Sequence, residues 1–288
     1  MIPTTLLCGF LGAGKTTRIN TLIAAGELVN ALFLVNDFGR INIDAELIES
    51  REDHILRLSN GCACCGIAGD LSAQLREIRD WPQPPEHLVL EASGVARPRP
   101  LIQLFGAARG YRLEHAETLV DAAGFERHIG DDAIADIVRA QIREVGHLRI
   151  NRLEWLDDAA RAEVLQHLER LNATATRTIE PGEAPDSPAL SAPAAGPARG
   201  RLVTESVELT GPVDLAALEE LLTNASATLV RAKGLVEAAG RPGGSHVVQV
   251  AGGRLRVIAA RARSTRALVL IGYPGPALDK LVAALRRL

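Results

Sequence analysis

Gly9-Phe10-Leu11-Gly12-Ala13-Gly14-Lys15-Thr16-Thr17 sets the architecture of the chain around it. Gly9, Gly14, Lys15 and Thr16 stand in the register G-x-x-x-x-G-K-T, after a β-prone run over 4–8 and before a helix-prone run over 17–25. Glycines at this spacing let successive backbone N–H groups close around phosphates, and the following helix turns its positive end toward them. In such a loop the lysine reaches the β- and γ-phosphates and the next hydroxyl holds Mg²⁺. Gly9, Gly12, Ala13, Gly14, Lys15, Thr16 and Thr17 are the expected nucleotide-binding residues, with Thr16 also on Mg²⁺. The ligand implied is a nucleoside triphosphate.

Outward from this loop, strand-like and helix-like runs alternate to about residue 180, as in a parallel sheet wound with helices. The expected strands are 4–9, 31–36, 54–58, 87–91, 117–121, 147–151 and 175–179, and helices are expected from about Lys15, Asp70, Pro98, Asp131 and Asp157. Residues 180–200, EPGEAPDSPALSAPAAGPARG, have no periodic apolar pattern and read as a flexible linker. Beyond it, strands are expected at 201–210, 227–236, 245–250, 255–260 and 267–273, with helices at 213–224 and 276–288. The expected fold class is α/β: a P-loop NTPase domain with a mostly parallel, doubly wound sheet over 1–180, a linker over 181–200, and a smaller α+β domain over 201–288.

Composition excludes some classes of function. A length of 288 residues fits two domains, and a net charge of −3 argues against a nucleic-acid partner. No apolar run reaches the ~18 residues of a membrane span. Met1-Ile2-Pro3 leads straight into a strand without a basic, cleavable leader, so a cytoplasmic protein with reduced thiols is expected.

Three of the four cysteines fall in Gly61-Cys62-Ala63-Cys64-Cys65-Gly66. Thiols this close, flanked by glycines, can converge on one soft cation such as Zn²⁺, Co²⁺ or Cu⁺. Cys62, Cys64 and Cys65 would leave a fourth position open, as transfer by ligand exchange requires. Cys8, alone in an apolar strand, reads as core.

Glu91 ends the strand His87-Leu88-Val89-Leu90 and precedes Ala92-Ser93-Gly94. An acid at a strand tip beside the phosphate loop can hold Mg²⁺, and the glycine N–H can meet the γ-phosphate. Asp37 and Asp44 are both expected to orient the attacking water, their roles not separable by sequence. Asn151-Arg152-Leu153-Glu154 stands where a guanine-reading Asn-Lys-x-Asp would sit. Glu154 can accept from guanine N1–H and N2–H₂, and the Arg152 stem can cover the base.

Together GFLGAGKTT (9–17), VNDFGRINIDAELI (35–48), NGCACCGI (60–67), EASGVARPRPLIQLF (91–105), TLVDA (118–122), NRLE (151–154), VRAKGLV (230–236) and RALVLIGYPG (266–275) resemble the CobW-type family of metal-trafficking (metallochaperone) P-loop GTPases. The resemblance implies GTP hydrolysis coupled to delivery of Zn²⁺, or sometimes Co²⁺, to a client metalloprotein. It places Gly9, Gly12, Gly14, Lys15, Thr16 and Thr17 on phosphate and Mg²⁺. It places Glu91 and Gly94 in the third nucleotide motif, Asn151 on guanine, and the cysteines on metal. Lys15, Asp37, Asp44 and Glu91 are the expected catalytic set. Where some relatives carry extra glutamates this chain has Val35, Asp37 and Arg40, and it lacks a His-rich tract. The alternative reading is a nucleotide- and metal-binding regulatory protein with weak or lost GTPase activity. No nucleic-acid or membrane partner is expected, and homodimerisation is left open.

Overall fold

The computed structural model describes residues 1–26, 28, 30–35, 71–182, 202–240, 244–251, 254–260 and 266–288, with the backbone of 55–57 and 67–70. The chain divides into two compact units, the first Met1–Gly130 with Ile134–Gly182, the second Glu183–Leu288 with the stretch Asp131–Ala133.

The first unit is a parallel sheet of β1 (Ile2–Gly9), β2 (Ala31–Val35), β3 (Ile55–Arg57), β4 (His87–Glu91), β5 (Tyr111–Asp121), β6 (His147–Asn151) and β7 (Thr176–Ile179), in the order β3-β2-β4-β1-β5-β6-β7. Its helices are α1 (Lys15–Ala25), α2 (Ile67–Arg79), α3 (Pro98–Ala107), α4 (Ala122–Ile129), α5 (Ala135–Arg143) and α6 (Asp158–Leu171). Alternation along the strands builds a core on each face of the sheet. Leu6, Cys8, Leu32, Leu34, Leu88 and Leu90 pack against Leu71, Leu75 and Ile78 of α2 and Leu101 and Phe105 of α3. Leu7, Phe33, Val35 and Val89, one position out of phase, meet Ile19 and Leu22 of α1. Strands covered on both faces read as continuous apolar runs, which is why ALFLV and HLVLE are so hydrophobic.

Three elements depart from expectation. β5 starts at Tyr111 rather than Glu117, because its first half alternates with exposed Arg112 and Glu114 and lacks an apolar run. The helix expected from Asp131 begins at Ala135. Ala122–Ile129, not expected as a helix, forms α4: the Asp121 carboxylate accepts from Gly124 N at 3.3 Å, and Ala122, Phe125 and Ile129 bury one face.

Toward β7 the sheet changes character. His115 and Glu117 on β5, His147 and Arg149 on β6, and Thr176 and Thr178 on β7 share the face that β1 presents to α1. Glu117, 1% exposed, meets Arg149 Nε at 3.0 Å, Arg18 Nε at 3.4 Å and His115 Nε2 at 3.3 Å. Burial alone would raise its pKa, but the hydrogen bonds from His115 and Arg149 and the charges of Arg149 and Arg18 outweigh it and hold it at about 2.

The second unit is an antiparallel sheet of β8 (Val203–Glu208), β9 (Leu229–Glu237), β10 (Ser245–Ala251), β11 (Arg254–Ala260) and β12 (Ala267–Gly272), in the order β11-β10-β9-β12-β8. Leu218 and Leu222 of α7 (Leu215–Asn224) and Leu278, Leu281 and Leu285 of α8 (Pro276–Leu285) pack on Ala232, Val236, Val248, Val250, Leu268 and Leu270. Pro276 opens α8 where a missing N–H costs nothing.

Leu90, 1% exposed between β4 neighbours and α2–α3, makes a direct test of the two-sided core. Leu90→Ala should lower the unfolding free energy of the first unit by about 2–5 kcal/mol in urea titration. A change under about 1 kcal/mol would contradict this packing.

Candidate functional site: a phosphate loop met by three strand ends

β1, β4, β5 and β6 run parallel, so Gly9, Glu91, Asp121 and Asn151 all lie at the same end of the sheet. There Gly9, Gly12 and Gly14 hold φ of 140°, 81° and 98°, a region open mainly to glycine. A Cβ on Gly9 would lie 2.6 Å from Leu119 O of β5, so β1 can end against β5 only without a side chain. Gly14 caps α1 without any side-chain hydrogen bond, which leaves the first-turn N–H groups facing the loop. Lys15 is 5% exposed, and its Nζ donates to Gly9 O at 2.9 Å and Phe10 O at 3.4 Å. Its cation is held over the loop, with Thr16 and Thr17 one and two residues on at the helix start.

β4 supplies the second wall. Ala92 N donates to Leu7 O at 2.8 Å, extending the β1–β4 pairing past Glu91, which is 3% exposed. A Cβ on Gly94 would sit 2.5 Å from Leu11 Cδ2 and 3.0 Å from Leu11 N, so this turn presses on the phosphate loop. Gln141 of α5, 1% exposed, fastens the turn by donating from Nε2 to Gly94 O at 3.1 Å and Ala96 O at 2.9 Å.

β6 supplies the third. Asn151 Nδ2 donates to Ala13 O at 2.9 Å, and Arg152 Nη1 donates to Gly12 O at 3.1 Å and to Asp121 Oδ2 at 2.6 Å. Arg152 takes φ 59°, and its guanidinium lies 5.2 Å from the Trp155 ring centroid. Glu154 accepts from Gly182 N at 2.5 Å.

The structure thus gathers Gly9, Gly12, Ala13, Gly14, Lys15, Gly94, Asn151 and Arg152 around one loop, with Glu91 at the neighbouring strand tip. Asp37, Asp44, Cys62, Cys64 and Cys65 lie outside the described residues. Cys8 is buried in β1 and its thiol is pushed up to about 12, chiefly by burial, so it offers no thiolate at neutral pH. Asp121 and Gln141 were missed in the sequence. The signal for Gln141 was a polar residue on the buried face of α5, between Ala140 and Ile142.

Comparison with known proteins matches residues 3–178 to the CobW/HypB/UreG nucleotide-binding domain and residues 202–288 to the cobalamin synthesis protein cobW C-terminal domain. A zinc chaperone CobW of a Sinorhizobium species is 31% identical over 157 residues, 51% of this chain and 44% of that protein. The zinc chaperone YjiA of Escherichia coli K12 is 33% identical over 183 residues, 60% of this chain and 56% of that protein. The chain spans about half the length of these relatives. Among solved structures, Zn(II)-bound YjiA GTPase from E. coli aligns with a TM-score of 0.42 and 21% identity, covering 98% of this chain and 97% of that one.

Two glycine replacements separate steric exclusion from backbone strain. Gly26 has φ 63° with nothing within 4 Å of a built Cβ, whereas Gly9 faces the Leu119 carbonyl. Gly26→Ala should cost about 1–2 kcal/mol from its dihedral alone, and Gly9→Ala distinctly more, with weakened nucleotide binding. Equal shifts in urea midpoint for the two variants would contradict the close approach of β1 to β5.

Proposed function

This chain belongs to the CobW/HypB/UreG family, and we propose that it is a cytoplasmic GTP-hydrolysing metallochaperone that delivers Zn²⁺, or Co²⁺, to a client metalloprotein. The observation that carries the nucleotide half is the convergence of three strand ends on one glycine loop, with Lys15 held over it and Asn151 tied to Ala13 O. The zinc half rests on the thiol spacing of Cys62, Cys64 and Cys65 and on the zinc chaperones among the relatives.

In this reading residues 1–180 form the nucleotide domain, 181–200 a linker and 201–288 the C-terminal domain. Gly9, Gly12, Ala13, Gly14, Lys15, Thr16 and Thr17 hold the phosphates, and the Gly94 N–H meets the γ-phosphate. The glycine cradle fits such a group, since a side chain at Gly9 or Gly94 would collide with the loop's own supports. Thr16 and Glu91 would hold Mg²⁺, which supplies charge neutralisation on the β- and γ-phosphates. Asp37 and Asp44 orient the attacking water, and Asn151, Arg152 and Glu154 flank the base. Lys15 exchanges its bonds to Gly9 O and Phe10 O for phosphate oxygens, a charge-assisted replacement for two neutral acceptors.

A second reading, a nucleotide- and metal-binding regulatory protein with little turnover, is favoured by Glu154. Its carboxylate is already bonded to Gly182 N and must let go, or share, to read a guanine.

Turnover separates the two. GTP hydrolysis should be measurable in the intact chain and fall by roughly 100-fold or more in Lys15→Ala. Cys62→Ala, Cys64→Ala and Cys65→Ala together should abolish thiolate-bound Zn²⁺ while leaving GTP binding in place. GTP bound without turnover would overturn the GTPase, and thiolate-type zinc binding that survives the triple replacement would overturn the metal assignment.

A further inference from the structure

The polar end of the first unit's sheet holds donors that the nucleotide site does not use. His115 and Glu117 stand two residues apart on β5, and His147 lies opposite Glu117 on β6, so all three share one face. One ligand atom from each lies within 4.8 Å of the others, and the two imidazole centroids are 5.2 Å apart. A parallel strand inside a wound sheet is ordinarily apolar, and polar groups there cost free energy unless they are matched. Most of this cluster is matched: Glu117 by Arg149, Arg18 and His115, and His147 Nδ1 by Thr176 Oγ1 at 2.7 Å. His147 Nε2 is not. It is buried and has no hydrogen-bond partner among the described residues.

We propose that His115, Glu117 and His147 form a second transition-metal site, separate from the cysteines, for a borderline divalent ion of the Zn²⁺, Co²⁺ or Ni²⁺ class. Two imidazoles and one carboxylate are the donor set that suits such ions and leaves an open coordination position. The supporting contacts match what ligands need. The Thr176 hydroxyl donates to Gly146 O and so accepts from His147 Nδ1–H, which leaves Nε2 with its lone pair, and Arg149 donates to the Glu117 carboxylate and fixes its orientation.

Metal–ligand distances of about 2.0–2.2 Å require the donors to draw in to roughly 3.3 Å of one another. His115 can supply that movement, since its side chain is 44% exposed while that of Glu117 is 2% exposed. The guanidiniums beside the site are themselves neutralised. Arg149 is shared between Glu117 and Glu180, so two carboxylates face the two guanidiniums of Arg149 and Arg18. The bland alternative is an ion-pair network that merely holds β5, β6 and α1 together. It accounts for Glu117 and Arg149 but leaves His147 Nε2 buried and unmatched.

The site does not rest on the metallochaperone reading, and its test removes the three clustered thiols. The probe is Co²⁺, titrated into the full, untagged chain carrying Cys62→Ala, Cys64→Ala and Cys65→Ala, and followed by its visible ligand-field absorption. This chain should bind one Co²⁺ with a nitrogen/oxygen-type spectrum, displaced by Zn²⁺. His115→Ala, at the half-exposed edge of the cluster, should weaken binding by roughly tenfold or more. His147→Ala should do the same, with far-UV circular dichroism confirming that the sheet is intact. Loss of Co²⁺ binding altogether in this triple variant would overturn the proposal. So would Co²⁺ affinity unchanged in His115→Ala, since the ion would then sit elsewhere.

Discussion

The contact between Gly9 and Leu119 is the constraint on which the site depends. β1 lies between β4 and β5, and its last residue ends so close to the β5 backbone that a Cβ would stand 2.6 Å from a carbonyl oxygen. With no side chain there, the backbone takes φ 140° and turns into the loop rather than continuing the strand. The loop then delivers α1 by its N-terminus, uncapped by any side chain, above the sheet. Asn151 and Arg152 reach the loop carbonyls from β6 only because β5, between them, is locked against β1. The phosphate cradle is thus a property of strand order as much as of the glycine motif.

How far this was legible in the sequence follows from the range of each interaction. The phosphate loop, its flanking strand and helix, and the acid at the tip of β4 are local patterns, and the register from Gly9 to Thr16 carries its own chemistry. The alternation of strands and helices was legible because apolar runs are local too, whereas the linker expected over 181–200 lies, from residue 183 on, outside the described residues. The order β3-β2-β4-β1-β5-β6-β7 was not, since pairing between distant segments leaves no mark in either segment alone. For the same reason Gln141 on Gly94 O and Asp121 on Arg152 went unseen: each is an ordinary polar residue until a partner tens of residues away is placed beside it. The first half of β5 was hidden by its charges, and α4 by Gly124 in its first turn.

The two halves of the first sheet are built on different physics. Around β1, β2 and β4 both faces are aliphatic and covered by helices, and stability there comes from burial. Across β5, β6 and β7 the α1-side face is held by Glu117, Arg149, Arg18 and Glu180, and by the two histidines beside them. Buried charge of this kind adds little net stability but is costly to break, which ties strand position to the presence of every partner. Those strands end at Asp121 and Asn151, the residues that grip Arg152 and the phosphate loop. Geometry at the loop end is therefore referred back to a polar, ion-paired segment of the same strands.

A GTP-hydrolysing metallochaperone has to link its metal affinity to its nucleotide state. The most direct test of that link is the Zn²⁺ dissociation constant of the intact chain, measured by competition with a chelator in the apo form, with GTP·Mg²⁺ and with GDP. A coupling of ~1–3 kcal/mol, about a 5–150-fold difference between the GTP and GDP forms, is expected. Equal affinities in all three states would contradict it, leaving a nucleotide-binding protein whose metal site takes no instruction from hydrolysis.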